Sequence, residues 1–160
     1  MNKKQELVDV LQAIPWFQEL SDEHFKKMCA IAHLVNMDED TTIFSEGEKD
    51  ESLYIVIEGR VAIEIYSPMR GRLRIFTAEP LDVVGWSSVT PVVRQRTASA
   101  RTVLDTRLAV VDGQALRNLC DEDYELGYKI MRRIANVVAA RLMVTRLQLL
   151  DVYGHPEEGQ

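Results

Sequence analysis

The chain has little that would staple or anchor it apart from a hydrophobic core. Its 160 residues include two cysteines, Cys29 and Cys120, far apart and without a partner motif. Neither a disulfide framework nor a zinc site is expected; both thiols read as small core residues. His24, His33 and His155 are equally scattered, with no companion at metal-ligand spacing. No apolar run approaches the about 20 residues needed to span a bilayer. The N-terminus, MNKKQELVDVLQ, has no apolar core of a secretory signal. The expected location is the cytoplasm, without a membrane partner. Positive charge is also short: 19 Lys and Arg face 25 Asp and Glu, a net charge of −6. Phosphate-backbone contacts need a basic footprint, so DNA is not an expected partner. Walker-type, GxGxxG, Gly-x-Ser-x-Gly and paired-carboxylate motifs are missing, and no enzyme activity is expected.

What is present suits one globular domain: 46% hydrophobic and 28% charged residues. Three zones follow one another. Residues 2–36 read as helical, with Leu7, Val10, Leu11 and Ile14 at helical spacing until Pro15 interrupts them. Ser21 is a good N-cap, with Asp22 and Glu23 at the positive end of the following helix. That helix carries the stripe Phe25, Met28, Cys29 and Ala32.

From about residue 39 to 111 the period changes. Leu53, Ile55 and Ile57 alternate with Tyr54 and Val56; beyond Glu58-Gly59-Arg60, Val61, Ile63 and Ile65 alternate with Ala62, Glu64 and Tyr66. The pattern predicts a hairpin. Further strands are predicted at 42–44, 73–77, 83–84, 98–103 and 107–111, punctuated by Gly47, Gly59, Gly71 and Gly85, a small roll or barrel rather than a βαβ layout. Helix then returns. Asp112 can cap a short helix over 113–120, and a long helix is predicted over about 122–150. Leu126, Ile130, Ile134, Val137, Val138, Leu142, Thr145 and Leu149 form its broad apolar face, edged by Arg132, Arg133, Arg141 and Arg146. So long an apolar face exceeds what one small roll can bury, and a second copy of the same helix is the expected partner, making a homodimer.

The segment 81–102, LDVVGWSSVTPVVRQRTASART, carries the chemistry. Gly85-Trp86-Ser87-Ser88 is a small-residue turn, and Arg96-Thr97-Ala98 follows. Backbone N–H groups and hydroxyls at such a turn make a concave anion site that a guanidinium can close.

Helices, a glycine-punctuated roll and two more helices, in this order, resemble the cyclic nucleotide-binding domain family, in the form of a CRP/FNR-like effector domain. The resemblance runs from about residue 14 to 142. Its pieces are IPWFQELSDEHFKKMC, TIFSEGEKDESLYIVIEGRVAIEIY and GWSS…RQRTASA. It implies a mainly β fold with flanking helices: a double-stranded β-helix or jelly-roll β-roll over 38–111, N-terminal helices over 1–37, C-terminal helices over 112–152 and a loose tail over 153–160. It also implies a ligand, cAMP or cGMP, bound by Gly85, Trp86, Ser87, Ser88, Arg96, Thr97 and Ala98. Arg96 would pair with the cyclic phosphate, the Ala98 N–H would help complete the cradle, and either Thr97 or Ser99 could donate from a side chain.

Two departures stand out. Trp86 holds the position of the family's glutamate, which accepts a hydrogen bond from the ribose 2′-OH, and indole is a donor only. The lost partner is worth about 1.5–3 kcal/mol. Trp86 can instead stack on a purine or fill the roll. Leu81 stands where the family commonly has glycine before Asp82. Transcription-factor relatives carry a helix-turn-helix after the long helix, for which the chain leaves no expected room, so output would pass to an unknown protein effector or through dimer geometry. The alternative is a degenerate, ligand-free roll acting as a dimerisation or protein-interaction module.

Overall fold

The computed structural model describes residues 2–154 except Asp50, Pro91 and Arg94. Helix α1 (Lys3–Gln12) ends before a 3-10 turn at Pro15–Phe17, and α2 (Asp22–Ala30) follows. Eight strands come next: β1 (Ala32–Met37), β2 (Thr42–Phe44), β3 (Ser52–Glu58), β4 (Val61–Ser67), β5 (Gly71–Ala78), β6 (Val83–Val84), β7 (Ser99–Thr102) and β8 (Thr106–Asp112). A second 3-10 turn, Trp86–Val89, lies between β6 and β7. Helices α3 (Gly113–Glu122) and α4 (Tyr124–Gly154) complete the chain. The strands form two antiparallel four-stranded sheets, ordered β1-β8-β3-β6 and β2-β7-β4-β5. This is the jelly-roll arrangement of the expected mainly β fold, with helices at both ends of the chain.

The caps read from sequence are in place. Ser21 accepts a hydrogen bond from the His24 N–H at 3.2 Å, and Asp112 accepts one from the Ala115 N–H at 2.9 Å. Three expectations need correction. The helical zone stops at Ala30, and Ala32–Met37 is a strand paired with β8. Ala32 is one helical turn beyond Met28 and Cys29, so it fitted the helical stripe, but Leu34 and Val35 belong to a sheet that only the distant Thr106–Asp112 strand completes.

The 53–65 hairpin does not form either. β3 pairs with β8 and β6, whereas β4 pairs with β5 and β7. β3 is apolar on both faces: Leu53 and Ile55 enter the core against the helices, while Tyr54 and Val56 enter the core between the sheets. Its link to β4 is bonded to the β7–β8 corner instead of to itself. Gly59 has φ +88°, and a Cβ there would lie 2.5 Å from Asp105 O and from Thr106 Oγ1. Val103 N–H donates to Arg60 O at 2.9 Å. The chain thus changes sheets at Gly59.

Finally, Tyr153 and Gly154, expected in a loose tail, are the last residues of α4, and residues 155–160, His155 among them, lie outside the described residues.

The helix-side core gathers Leu7, Leu11, Ile14, Phe17 and Met28 against Leu53, Ile55, Val111 and Leu116, with Leu126, Ile130 and Ile134 from the root of α4. The apolar face of α4 then leaves the core: Val137 and Val138 are half-buried, while Leu142 and Leu149 are exposed. No helix among the described residues is long and apolar enough to cross a membrane.

Candidate functional site

Asp82 and the two residues before it turn the chain into the site. Glu79, Pro80, Leu81 and Asp82 form a tight turn, closed by the Asp82 N–H donating to Glu79 O at 3.0 Å. Leu81 adopts φ +77°, the left-handed conformation that explains why glycine suits this position. Leucine there costs about 1–2 kcal/mol. β6 follows, and Gly85, at φ +80°, opens the Trp86–Val89 turn. A Cβ on Gly85 would lie 2.6 Å from Arg96 Nη1, so the glycine is required by both conformation and space.

Arg96 is 3% exposed. Its Nη1 donates to Gly85 O at 2.8 Å and to Ser87 Oγ at 3.4 Å, and its Nη2 donates to Ser52 O at 2.5 Å. The guanidinium lies over the Phe44 ring, 4.2 Å from its centroid. The backbone of Arg96 is held by the 47–48 loop: its N–H donates to Glu48 O and its carbonyl accepts from the Gly47 N–H, each at 2.8 Å. A cation taken this far from water is retained by charge-assisted bonds to carbonyl dipoles and by a π face.

Beside it is a cavity of about 180 Å³. Gly85, Trp86, Ser87, Arg96, Thr97 and Ala98 line it, together with Phe44, Ile63 and Phe76 of the roll and Arg141, Val144 and Thr145 of α4. Six of the seven residues read from sequence therefore converge on one space. Ser88 is not among its lining residues; its hydroxyl donates to Gly85 O at 2.9 Å and fixes the turn. Of the two candidate donors after Arg96, Thr97 lines the cavity, whereas Ser99 Oγ accepts from the Glu46 N–H at 2.9 Å. Trp86 is half-buried, packing on the helix-side core while one part faces the cavity.

The far wall was not read from sequence as part of the site. Arg141 was placed on an edge of the long helix and Thr145 in its apolar face. The guanidinium of Arg141 lies 3.2 Å from the centroid of the Phe76 ring, and Nη2 reaches Val83 O at 3.4 Å. Burial lowers its pKa, with the nearby Asp82 charge opposing. Thr145 Oγ1 donates to Arg141 O at 2.9 Å, and Gln148 Nε2 donates to Ile75 O at 2.8 Å, joining α4 to β5. A threonine inside a helical apolar stripe was the available signal.

The sequence profile of the cyclic nucleotide-binding domain matches residues 34–123, more than half of the chain. The chain belongs to the cyclic nucleotide-binding domain family. A CRP-like cAMP-activated global transcriptional regulator of Mycobacterium tuberculosis is 35% identical over 112 residues, which make up 69% of this chain and 47% of that protein. The chain thus spans about half the length of this relative. Among solved structures, a cyclic nucleotide-binding domain from Methylobacillus flagellatus has a TM-score of 0.76 at 23% identity, over 92% of this chain and 83% of that one. The N-terminal domain of a transcriptional regulator from Streptomyces coelicolor has a TM-score of 0.65 at 26% identity, covering 95% of this chain and 100% of that domain. The family relationship ties this chain to CRP-like regulators, and the matched stretch ends at the start of α4, before the far wall of the cavity.

Proposed function

We propose that the roll binds a cyclic nucleotide, cAMP or cGMP, with its phosphate at Arg96 and the 85–87 turn, and relays occupancy through α3 and α4. The observation that carries this reading is a buried guanidinium in the wall of a cavity whose opposite wall is the long helix. The relay has a physical route. Arg117 of α3 donates to Ser88 O, so the cassette turn and α3 move together, and α4 supplies Arg141, Val144 and Thr145 to the wall. A ligand shifts this equilibrium only by binding one helix arrangement better than the other. Trp86 offers no acceptor to the ribose 2′-OH, which lowers affinity by about one to two decades. Leu142, Leu147, Leu149 and Leu150 near the end of α4 are more than half exposed, and a second copy of the helix is the partner that suits them. The readout is then dimer geometry or a protein effector in the cytoplasm.

One observation favours the ligand-free alternative: Trp86 packs against the helix-side core and belongs partly to it. Isothermal titration of cAMP and cGMP against wild type, Arg96→Ala and Trp86→Glu separates the two. The sensor reading expects heat in the wild type and at least about tenfold weaker binding in Arg96→Ala. No heat in the wild type, with binding recovered in Trp86→Glu, would leave the interaction-module reading.

A further inference from the structure

The cavity is electrostatically one-sided. Its lining contains two guanidiniums, Arg96 and Arg141, and no carboxylate among the described residues. Among the described residues, Arg96 donates to three oxygens, Gly85 O, Ser87 Oγ and Ser52 O. Arg141 is not: it stacks on Phe76, has one long bond to Val83 O, and forms no ion pair among the described residues. Asp82 is the acid whose charge it feels. A half-buried arginine has five donors and no acceptor, so most of its donors are left for whatever enters the cavity.

One helical turn further on, Thr145 has the opposite character. Its only hydroxyl hydrogen goes to Arg141 O, which leaves lone pairs as what it can offer elsewhere. The α4 wall therefore presents a donor-only group beside an acceptor.

We infer that Arg141 and Thr145 make this site selective for a 6-oxopurine over a 6-aminopurine cyclic nucleotide. The inference rests on the cyclic nucleotide reading and names the base that reading leaves open. A 6-oxopurine presents two adjacent acceptors, O6 and N7, which a guanidinium can bond bidentately. Its N1–H and, in guanine, its 2-amino group are donors suited to Thr145 Oγ1. A 6-aminopurine turns an amino donor toward Arg141, which has nothing to accept it, and leaves that hydrogen unsatisfied in a half-buried site.

The test is isothermal titration of cGMP, cIMP and cAMP against wild type, Arg141→Ala and Arg141→Gln, with thermal melts to establish that each variant is folded. Cyclic IMP retains O6 and N7 but has no 2-amino group, so it isolates the Arg141 contribution. The expected result is that cGMP and cIMP bind the wild type at least about tenfold tighter than cAMP. Arg141→Ala should reduce that preference to within about threefold. Arg141→Gln, whose amide both donates and accepts, should gain cAMP affinity relative to Arg141→Ala. Binding in which cAMP equals or exceeds cGMP, or a preference unchanged in Arg141→Ala, overturns the inference while leaving the nucleotide reading intact. No binding of any of the three to wild type overturns both.

Discussion

The two walls of the cavity are held by different forces. On the cassette side, Arg96 is tied to Gly85 O at 2.8 Å and to Ser52 O of β3 at 2.5 Å, with a longer bond to Ser87 Oγ, and it is buried under Phe44. On the helix side, Arg141 rests on a ring face and a 3.4 Å contact, and Gln148 supplies a single tie to β5. Beyond that tie Leu149, Leu150, Val152 and Tyr153 are each more than half exposed. The contrast is what the proposed relay requires. A rigid wall can hold an anion in one place, while a wall held by a few weak contacts can change position when a ligand adds to them.

The largest effect on these two walls is expected at the root of α4. Ile130 is 2% exposed in the helix-side core, and Ile130→Ala should cost about 2–5 kcal/mol in denaturant unfolding. Because Ile130 roots α4 in that core, cGMP or cAMP binding should weaken in parallel; unfolding at wild-type denaturant concentration would show that α4 is not anchored there.

The cassette wall offers a paired and smaller test. Gly85→Ala places a side chain at φ +80° against Arg96 Nη1 and should lose about 1–3 kcal/mol together with ligand binding. Leu81→Gly, four residues earlier and also left-handed at φ +77°, should move the other way, with a gain of up to about 1 kcal/mol and binding unchanged. A thermal melt of the two variants reads both signs.

The smallest effect lies at the joint between α3 and α4. Asp123 accepts from the Leu126 N–H at 3.1 Å and from Lys27 Nζ at 3.0 Å. The Leu126 backbone bond, then Lys27, lowers its pKa from 3.8 to about 2. A depressed carboxylate contributes stability that is fully present above its unfolded value and is lost as pH falls through the folded one. The melting temperature of wild type should therefore exceed that of Asp123→Asn at pH 6, and the gap should close as pH falls from about 3.8 to about 2. A gap that stays constant with pH would assign the joint to something other than this carboxylate.

Much of this molecule was legible in its sequence because the signals are local. Ser21 and Asp112 cap helices through oxygens three residues from the N–H groups they accept from, so spacing alone located them. The strands at 42–44 and 83–84 lie where alternation and glycine spacing put them. The Gly85 and Arg96 segments were recognisable because a left-handed glycine and a buried guanidinium constrain residue type tightly. What was misread is non-local. Ala32–Met37 has the same composition in a helix as in a strand until Thr106–Asp112 lies beside it. Alternation in β3 and β4 established two strands but not their partners. The helix-side apolar core and the bonds at the 103–106 corner decided that they separate.

By itself, then, the sequence determined the succession of helices, strands and helices, the turns that need glycine, and the arginine segment that lines the cavity, since these depend on short-range sterics, capping and burial of charge. Tertiary structure alone decided which strands share a sheet and that α4 folds back so that Arg141 and Thr145 complete the cavity. The reason is that a helical face looks the same in sequence whether it meets its own roll, a ligand or a second copy, and only the path of the chain through space determines what each turn of that face meets.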